Sequence, residues 1–338
     1  MSTRPRPLAH AHSVQPALIQ LKTADLISIR DVSPFEVRSI LGLTALMKAM
    51  PASFRDALAG KQLALFFEKP SLRTRITFEA GISSMGGTSF FVDQTRSRLD
   101  EREKLSDISR NLERWVDGVV LRTFDHATVV GVAEHAAIPV INGLSDVEHP
   151  CQALADFFTL EEKLADLTKV HLAYVGDGNN VAHSLMLVAA SVGSHIRVAT
   201  PRGHGPAAEI VTHARKRAKE TGGSVELFHD PVEAVAGANA VYTDVWASMG
   251  QEAEAEARRQ TFAGYQVNRE LMAHAQSGAL FLHCLPAHRG LEVTDEVIDS
   301  PQSVVFDQAE NRLHVQKAIM LLLLGGGKNR FPLRSAHA

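Results

Sequence analysis

The fold is decided by the stretch from Leu63 to Arg75, which reads LALFFEKPSLRTR. Its first five residues, 63–67, are all apolar, as expected of a short parallel strand that is buried on both faces. A Pro-Ser turn at 70–71 follows, and the residues after it are typical of the first turn of a helix. A buried strand that leads through a short turn into a helix is the repeating unit of α/β folds.

The same alternation of apolar runs and helical stretches continues along the chain. The runs interpreted as strands are 63–67, 89–92, 118–121 and 138–141, and then 170–175, 195–199, 224–228, 240–243 and 279–283. A long helical pattern at 150–166 separates the two sets, and a last helical pattern covers 308–324. We therefore expect an α/β protein with two doubly wound parallel-sheet domains joined by a connecting helix.

The composition fits a globular chain and narrows its partners. Of 338 residues, 45% are hydrophobic and 22% charged, and the formal net charge is -3. This balance indicates neither a nucleic-acid nor a membrane-surface partner. The longest apolar run, 318–324, is far shorter than the ~20 residues of a membrane-spanning helix. With only two cysteines, Cys151 and Cys284, no disulfide framework is expected, and a cytoplasmic location is the default.

The residues after the Pro-Ser turn indicate an anion site. Ser71, Arg73, Thr74 and Arg75 would lie at the start of the helix, where free N–H groups and the positive end of the dipole are exposed. Hydroxyl and guanidinium groups at such a place suit phosphate. The alternative is a capped helix with arginines on the surface. Two arginines and two hydroxyls beside a strand end disfavour this alternative.

Further polar residues lie after other strands or at helix starts. Arg122 follows the strand at 118–121, where ligands of open α/β sheets bind, although a surface position suits it equally. His149 and Gln152 lie at the start of the connecting helix and, three residues apart, can face one pocket. Asp244, like Arg122, directly follows a strand, the one at 240–243.

The sequence disfavours two kinds of site, a dinucleotide-binding site and a metal site. The GDGNN stretch at 176–180 opens a helix but lacks the third glycine of a dinucleotide-binding turn, and the next strand ends without an acidic residue for a ribose. Cys284, preceded by His283, is open to three interpretations: a nucleophile, a metal ligand or a buried thiol. Because no cluster of histidine, cysteine and carboxylate residues has metal-ligand spacing, we expect no metal and no cofactor.

Taken in order, these segments resemble the transcarbamoylase family from about residue 25 to 324. The segment 71–75 is similar to the family's carbamoyl-phosphate signature, and 149–152 to its His-Pro-x-Gln segment. Family members that carbamoylate aspartate also have both of these segments. The segments 244–250, DVWASMG, and 283–286, HCLP, resemble the members that use ornithine.

The resemblance implies transfer of the carbamoyl group of carbamoyl phosphate to the δ-amine of L-ornithine, which gives L-citrulline and phosphate. It implies a carbamoyl-phosphate domain at 1–150, completed by a C-terminal helix at about 312–338 that packs back on it, and an ornithine domain at 151–311. The residues placed around carbamoyl phosphate are Ser71, Leu72, Arg73, Thr74, Arg122, His149, Gln152 and Arg312. Those placed around ornithine are Asn180, Asp244, Ser248, Met249, Cys284 and Leu285. The residues given catalytic roles are Arg122, His149, Cys284 and Asp244.

The resemblance also implies a cis peptide bond at Leu285–Pro286 and a homotrimer or a multiple of trimers. Two positions depart from the family pattern. Leu72 stands where the signature most often has threonine, so only its backbone is expected to bind phosphate. Arg98 falls where a glutamine often reaches a neighbouring subunit, so that contact is not carried over.

Three other functions remain open at this point. A related transcarbamoylase would use N-acetylornithine, putrescine or aspartate, but Asp244 favours an acceptor with a free, charged α-amino group. A binding protein that kept only the fold would not need the intact set of arginines and histidine. A nucleotide-dependent oxidoreductase would need the acidic residue that the sequence lacks. Whether the reaction serves biosynthesis or catabolism is not determined by these residues.

Overall fold

The computed structural model describes residues 21–95, 98–101, 103–247 and 254–325. Within these ranges, nine strands form two parallel sheets. The first sheet has the order β2-β1-β3-β4 and consists of β1 (Gln62–Phe67), β2 (Thr88–Asp93), β3 (Gly118–Arg122) and β4 (Val140–Leu144). The second has the order β7-β6-β5-β8-β9 and consists of β5 (His171–Val175), β6 (His195–Ala199), β7 (Ser224–Phe228), β8 (Ala240–Thr243) and β9 (Leu280–His283).

Helices connect the strands and cover both sheets. Those before the second sheet are α1 (Pro34–Ala49), α2 (Leu72–Ser83), α3 (Leu105–Leu112), α4 (His126–Ala133) and α5 (Pro150–Leu164). Those that follow are α6 (Asn180–Val192), α7 (Ala208–Thr221), α8 (Pro231–Val235), α9 (Ala255–Phe262), α10 (Arg269–Met272), α11 (Asp295–Ile298) and α12 (Val305–Leu324). No helix in the described part of the chain is long and apolar enough to cross a membrane.

Both sheets are doubly wound, as predicted, since each has an apolar core on both of its faces. In β1, Leu65 and Phe67 belong to a core that extends to the helices between the sheets, whereas Phe66 packs on the outer face with residues of β3 and α4. In β5, Tyr174 belongs to the same inner core, and Val175 lies in the outer core of the second sheet. The two sheets therefore share one continuous apolar core.

The connecting helix and the last helix hold the two halves together. Helix α5 is buried along residues 150–160 and packs against α6 and α12. Helix α12 returns to the first sheet and packs against α1, α2 and α5, which confirms the predicted return. Gly81 of α2 lies against α12, since a Cβ atom there would be 2.9 Å from the Met320 Cε.

The main differences from the predicted elements are at their ends. Strand β4 begins after Pro139, which has no N–H to donate, and extends to Leu144 instead of ending at 141. Helix α3 ends at Leu112, and the following residues turn toward β3. Helix α12 begins at Val305, three residues earlier than predicted.

Candidate active site

The carboxyl ends of the two sheets face one cavity of about 510 Å³. All strands of a parallel sheet end at the same edge, so the loops after them converge there. The cavity is lined by twelve of the residues that the sequence analysis assigned to substrates: Ser71, Leu72, Arg73, Thr74, Arg122, His149, Gln152, Asn180, Asp244, Cys284, Leu285 and Arg312. The other two, Ser248 and Met249, lie outside the described residues.

The start of α2 forms one end of the cavity. Ser71 is the N-cap of the helix, and its Oγ accepts a hydrogen bond from the Thr74 N–H at 3.2 Å, which leaves the hydroxyl proton for a ligand. Arg73 lies half-buried in the same turn, and burial lowers the pKa of its guanidinium, which remains charged at neutral pH. The Leu72 side chain is 70% exposed, so a smaller polar side chain there would not disturb packing.

Three buried side chains of the cavity wall each keep an unpaired polar atom. Among the described residues, Arg122 Nε, His149 Nδ1 and Arg312 Nε have no hydrogen-bond partner. Burial and the neighbouring Arg312 lower the pKa of Arg122 to about 9, which leaves it charged at neutral pH. Burial beside the two guanidinium groups lowers the pKa of His149 well below its usual value, so its imidazole is neutral. Because buried polar groups without partners are costly, the cluster indicates a ligand with several hydrogen-bond acceptors.

Arg312 joins three elements around the cavity. From α12 it donates a hydrogen bond from Nη2 to the Thr74 Oγ1 at 2.9 Å and another from Nη1 to the Gln152 Oε1. The Gln152 Nε2 donates in turn to the Asp156 Oδ1 at 2.7 Å, one turn further along α5. The amide of Gln152 is therefore held in a single orientation.

Asp156 anchors this chain of hydrogen bonds inside the core. It also accepts hydrogen bonds from the Gln308 Nε2 at 2.8 Å and from the Tyr242 hydroxyl at 3.0 Å. Burial raises the pKa of Asp156 to about 6, while its three donors favour the charged form. The carboxyl group is consequently ionised at neutral pH.

The wall formed by the second sheet carries the acidic group. The Asp244 Oδ1 accepts a hydrogen bond from the Cys284 thiol at 3.0 Å, and the Oδ2 accepts one from the Asn179 Nδ2 at 2.8 Å. Burial and the charge of Asp244 raise the pKa of Cys284 well above its usual value. Since a nucleophile needs the thiolate, the structure favours a hydrogen-bonding thiol over a nucleophilic one.

A buried histidine, His283, forms a hydrogen bond with the turn that follows β9. The Leu285–Pro286 peptide is cis, as predicted. The Leu285 N–H donates to the His283 Nδ1 at 2.9 Å, and the His283 Nε2 lies 3.2 Å from the Glu292 Oε1. On the neighbouring helix start, the Asn180 Nδ2 donates to a backbone carbonyl of the first domain, that of Ser145, at 2.6 Å.

The fold also brings together three side chains of metal-ligand type. Ligand atoms of Asp244, His283 and Cys284 lie within 4.8 Å of one another. The spacing of these residues in the sequence did not indicate the cluster, because the pairing of β8 with β9 places Asp244 beside the other two. In the structure the thiol donates to the carboxylate, and the imidazole Nδ1 accepts the Leu285 N–H.

Two arginines named in the sequence analysis lie away from the cavity. The Arg75 Nε donates to the Glu79 Oε1 at 3.0 Å, and its guanidinium lies 3.8 Å from the centre of the Phe91 ring. The prediction that Arg75 belongs to the anion site is therefore wrong, because residues two apart on a helix point in nearly opposite directions. Arg98 forms an ion pair with Asp125 at 2.6 Å.

The glycine-rich turn before α6 has a structural explanation of its own. A Cβ atom on Gly178 would lie 2.3 Å from the Pro206 nitrogen and 2.4 Å from the Gly205 carbonyl carbon. The Gly178 N–H donates to the His204 carbonyl at 2.9 Å. The loop at 204–206 thus lies against the turn, and glycine is needed for this contact between loops.

The sequence analysis missed several residues in and behind the cavity wall. Lys69 lines the cavity, is buried, and has its Nζ 4.6 Å from the centre of the Phe124 ring. Burial and the charge of Arg122 lower the pKa of Lys69. Asp156 had a usable signal, since it follows Gln152 by four residues on a predicted helix. Asn179 lies in the GDGNN stretch itself, where it was considered only as part of a nucleotide-binding turn.

Two models of one protein family match the chain. The carbamoyl-P binding domain of aspartate/ornithine carbamoyltransferase matches residues 24–162, and the Asp/Orn binding domain of the same family matches residues 168–323.

Individual relatives and a solved structure agree with these matches. An ornithine carbamoyltransferase from Thermococcus kodakarensis is 51% identical over 313 residues, which are 92% of this chain and 99% of the relative. One from Symbiobacterium thermophilum is 55% identical over 306 residues, 90% of this chain and 99% of that relative. The structure of ornithine carbamoyltransferase from Pyrococcus furiosus has a TM-score of 0.87 at 50% identity and covers 89% of this chain and 97% of its own. The chain belongs to the aspartate/ornithine carbamoyltransferase family.

Proposed function

We propose that this protein is an ornithine carbamoyltransferase, which transfers the carbamoyl group of carbamoyl phosphate to the δ-amine of L-ornithine. One observation carries the proposal. A single cavity places buried, unpaired donors from the first sheet and α12 opposite a buried carboxylate from the second sheet. The first group suits an acyl phosphate, in which a phosphate is joined to a carbonyl carbon, and the second suits the charged amino group of an amino acid.

Carbamoyl phosphate is assigned to the start of α2. The hydroxyls of Ser71 and Thr74, the Arg73 guanidinium and the first backbone N–H groups, including that of Leu72, would hold its phosphate. Arg73 and the positive end of the helix would also stabilise the charge that develops as phosphate leaves.

The carbonyl oxygen of the carbamoyl group is assigned to Arg122 and His149. Both are buried, and each has a polar atom without a partner among the described residues. Donors that are fixed before the reaction can stabilise negative charge on the oxygen without reorganising, as in an oxyanion hole. Gln152 and Arg312, which are hydrogen-bonded to each other, would complete this side of the carbamoyl group.

Ornithine is assigned to the wall formed by the second sheet. Asp244 would bind the α-amino group, with Asn180 at the α-amino-acid end, and Cys284 and Leu285 would lie beside the δ-amine. Ser248 and Met249 stay in this assignment as predictions from the sequence.

The chemical step needs a neutral amine. An amine like that of lysine has a pKa of ~10.4, so on the order of 0.4% is neutral at pH 8. The amine nitrogen attacks the carbonyl carbon, a C–N bond forms, and the C–O bond to phosphate breaks. The electron pair of that bond leaves with phosphate, and the proton lost by the amine is accepted by the leaving phosphate or by solvent. Placing both substrates in one cavity supplies much of the remaining acceleration.

Initial rates with four acceptors test the proposal. The purified full-length protein is incubated with carbamoyl phosphate and with ornithine, putrescine, N-acetylornithine or aspartate, and ureido product and phosphate are measured. Ornithine should give the highest kcat/KM. Putrescine leaves polar groups of the pocket unpaired, at about 1–3 kcal/mol each, and N-acetylornithine lacks the positive charge that Asp244 would neutralise. A higher kcat/KM for another acceptor would contradict the assignment of Asp244 to the α-amino group. The absence of ureido product with all four acceptors would contradict the proposal that the protein is a carbamoyltransferase.

The division of the chain and its assembly complete the proposal. We assign carbamoyl phosphate to residues 1–150 with 312–338 and ornithine to 151–311.

We also propose a homotrimer, supported by exposed apolar side chains on α2 and on the edge strand β2: Leu72 and Ile76 are 70% and 51% exposed, and Phe90 is 50% exposed. Light scattering on the eluting protein should give three times the chain mass, and Phe90→Glu should lower it.

A further inference from the structure

We propose that Asn179 is a positioning residue for ornithine, because its one amide group both caps α6 and fixes the carboxylate of Asp244. The inference rests on the proposed function and extends it to a residue behind the cavity wall. Asn179 is not among the residues that line the cavity, so it would act through Asp244 rather than by touching a substrate.

The oxygen of the Asn179 amide is committed to the helix. Asn179 is the N-cap of α6, and its Oδ1 accepts hydrogen bonds from the Val181 N–H at 3.0 Å and the Ala182 N–H at 3.2 Å. The Tyr174 hydroxyl also lies 3.3 Å from this oxygen, although its shorter hydrogen bond, at 2.8 Å, is donated to the Asp177 carbonyl. A flipped amide would place N–H groups against these donors, so the geometry permits only one orientation.

The nitrogen of the same amide is thereby aimed at Asp244. The Asn179 Nδ2 donates to the Asp244 Oδ2 at 2.8 Å, while the Asp244 Oδ1 accepts the Cys284 thiol at 3.0 Å. Each carboxylate oxygen is thus held by a different element, one by the start of α6 and the other by the end of β9. The carboxylate that would recognise an α-amino group is fixed before ornithine arrives, which removes an ordering cost from binding.

Two substitutions separate the capping role from the positioning role. Aspartate and serine are both good N-cap residues, so Asn179→Asp and Asn179→Ser keep an acceptor for α6 but remove the amide N–H that donates to Asp244. Asn179→Asp also places a second carboxylate about 2.8 Å from the Asp244 Oδ2, where the two would share one proton. The matched control is Asn268→Asp, because Asn268 caps α10 through the Leu271 N–H at 2.9 Å and does not line the cavity.

The experiment measures steady-state kinetics of the three full-length variants, with melting temperatures as a check on folding. Both Asn179 variants should lose about 10- to 100-fold in kcat/KM for ornithine, while KM for carbamoyl phosphate stays within about twofold of the parent value. The preference for ornithine over putrescine should narrow, since putrescine has no α-amino group for Asp244. Only Asn179→Asp should move the acidic limb of the ornithine pH profile to higher pH. Asn268→Asp should match the parent in every kinetic measurement.

The outcomes distinguish this inference from the proposed function. If the parent protein makes ureido product from ornithine and the Asn179 variants do so with parental kcat/KM and selectivity, the positioning role is wrong and the function stands. If the variants lose activity with ornithine and putrescine equally, with a lower melting temperature and an unmoved pH profile, Asn179 is only a helix cap. If the parent makes no ureido product, the proposed function itself fails.

Discussion

The Arg312 Nη2 donates a hydrogen bond to the Thr74 Oγ1 at 2.9 Å, although the two residues are 238 positions apart in the chain. Through its other terminal nitrogen Arg312 also holds the Gln152 side chain at the start of α5. One buried guanidinium therefore connects the last helix, the start of α2 and the connecting helix. The proposed carbamoyl-phosphate half of the site is therefore complete only when α12 has packed against α2 and α5.

Arg312→Lys should lower kcat/KM for carbamoyl phosphate even though it keeps the positive charge. A lysine ammonium lacks the planar fork that reaches Thr74 and Gln152 at once. Loss of a hydrogen bond to a charged group corresponds to about 1.5–3 kcal/mol, or roughly ten- to 150-fold in rate. Steady-state kinetics at saturating ornithine measure it. Parental kinetics in this variant would show that the charge of Arg312 matters and its geometry does not.

Arg73→Ala should remove a charge-assisted contact to phosphate at the start of α2. Because Arg73 is half-buried in the cavity wall, we expect a loss of several kcal/mol of transition-state stabilisation, seen in kcat/KM for carbamoyl phosphate. Arg259→Ala is the control, since Arg259 lies on α9 in a pair with Glu256 in which both side chains are more than half exposed. Near-parental kcat/KM in Arg73→Ala would remove this residue from the phosphate site.

Asp156→Asn should change how stability depends on pH. Burial raises the pKa of Asp156 from 3.8 to about 6, so between these values the folded state binds more protons than the unfolded state. The contribution of Asp156 to stability therefore falls as pH rises through that window, by up to about 3 kcal/mol. Asparagine does not titrate, so the unfolding free energy of the variant minus that of the parent should increase from pH 4 to 6 and then level off. Denaturant unfolding at several pH values measures this difference, and a difference independent of pH would contradict it.

Gly178→Ala should destabilise the protein and weaken ornithine binding. The new Cβ would lie 2.3 Å from the Pro206 nitrogen, and a backbone atom cannot rotate away. Overpacking of this kind costs about 1–3 kcal/mol, and moving the turn would also displace Asn180. Gly264→Ala is the control, because nothing lies within 4 Å of its Cβ position, and its unfolding free energy should stay within about 1 kcal/mol of the parent. Equal unfolding free energies for the two variants would show that the 204–206 loop moves away from the added methyl group at little cost.

Local patterns were sufficient to predict most of the architecture. Strand β8 is buried at every position, as expected of a central parallel strand. Strands β6, β7 and β8 occupy the predicted residues, although the edge strand β7 is partly exposed. The Pro-Ser turn also predicted the start of α2, because helix capping depends on neighbouring residues alone. The residues assigned to substrates came from ordered segments that resemble a family, and those in the described ranges all line one cavity.

The sequence by itself thus determined the strand and helix succession, the two-domain class and the start of α2, because these depend on residues close together in the chain. Only the tertiary structure decided that Arg75 faces away from the cavity, that Asp244 meets Cys284, and that Arg312 reaches Thr74. These contacts depend on how sheets pair and helices pack, which places side chains 40 and 238 residues apart within hydrogen-bond distance. Sequence spacing carries no signal for such pairs, since a loop of almost any length can close at little additional entropic cost.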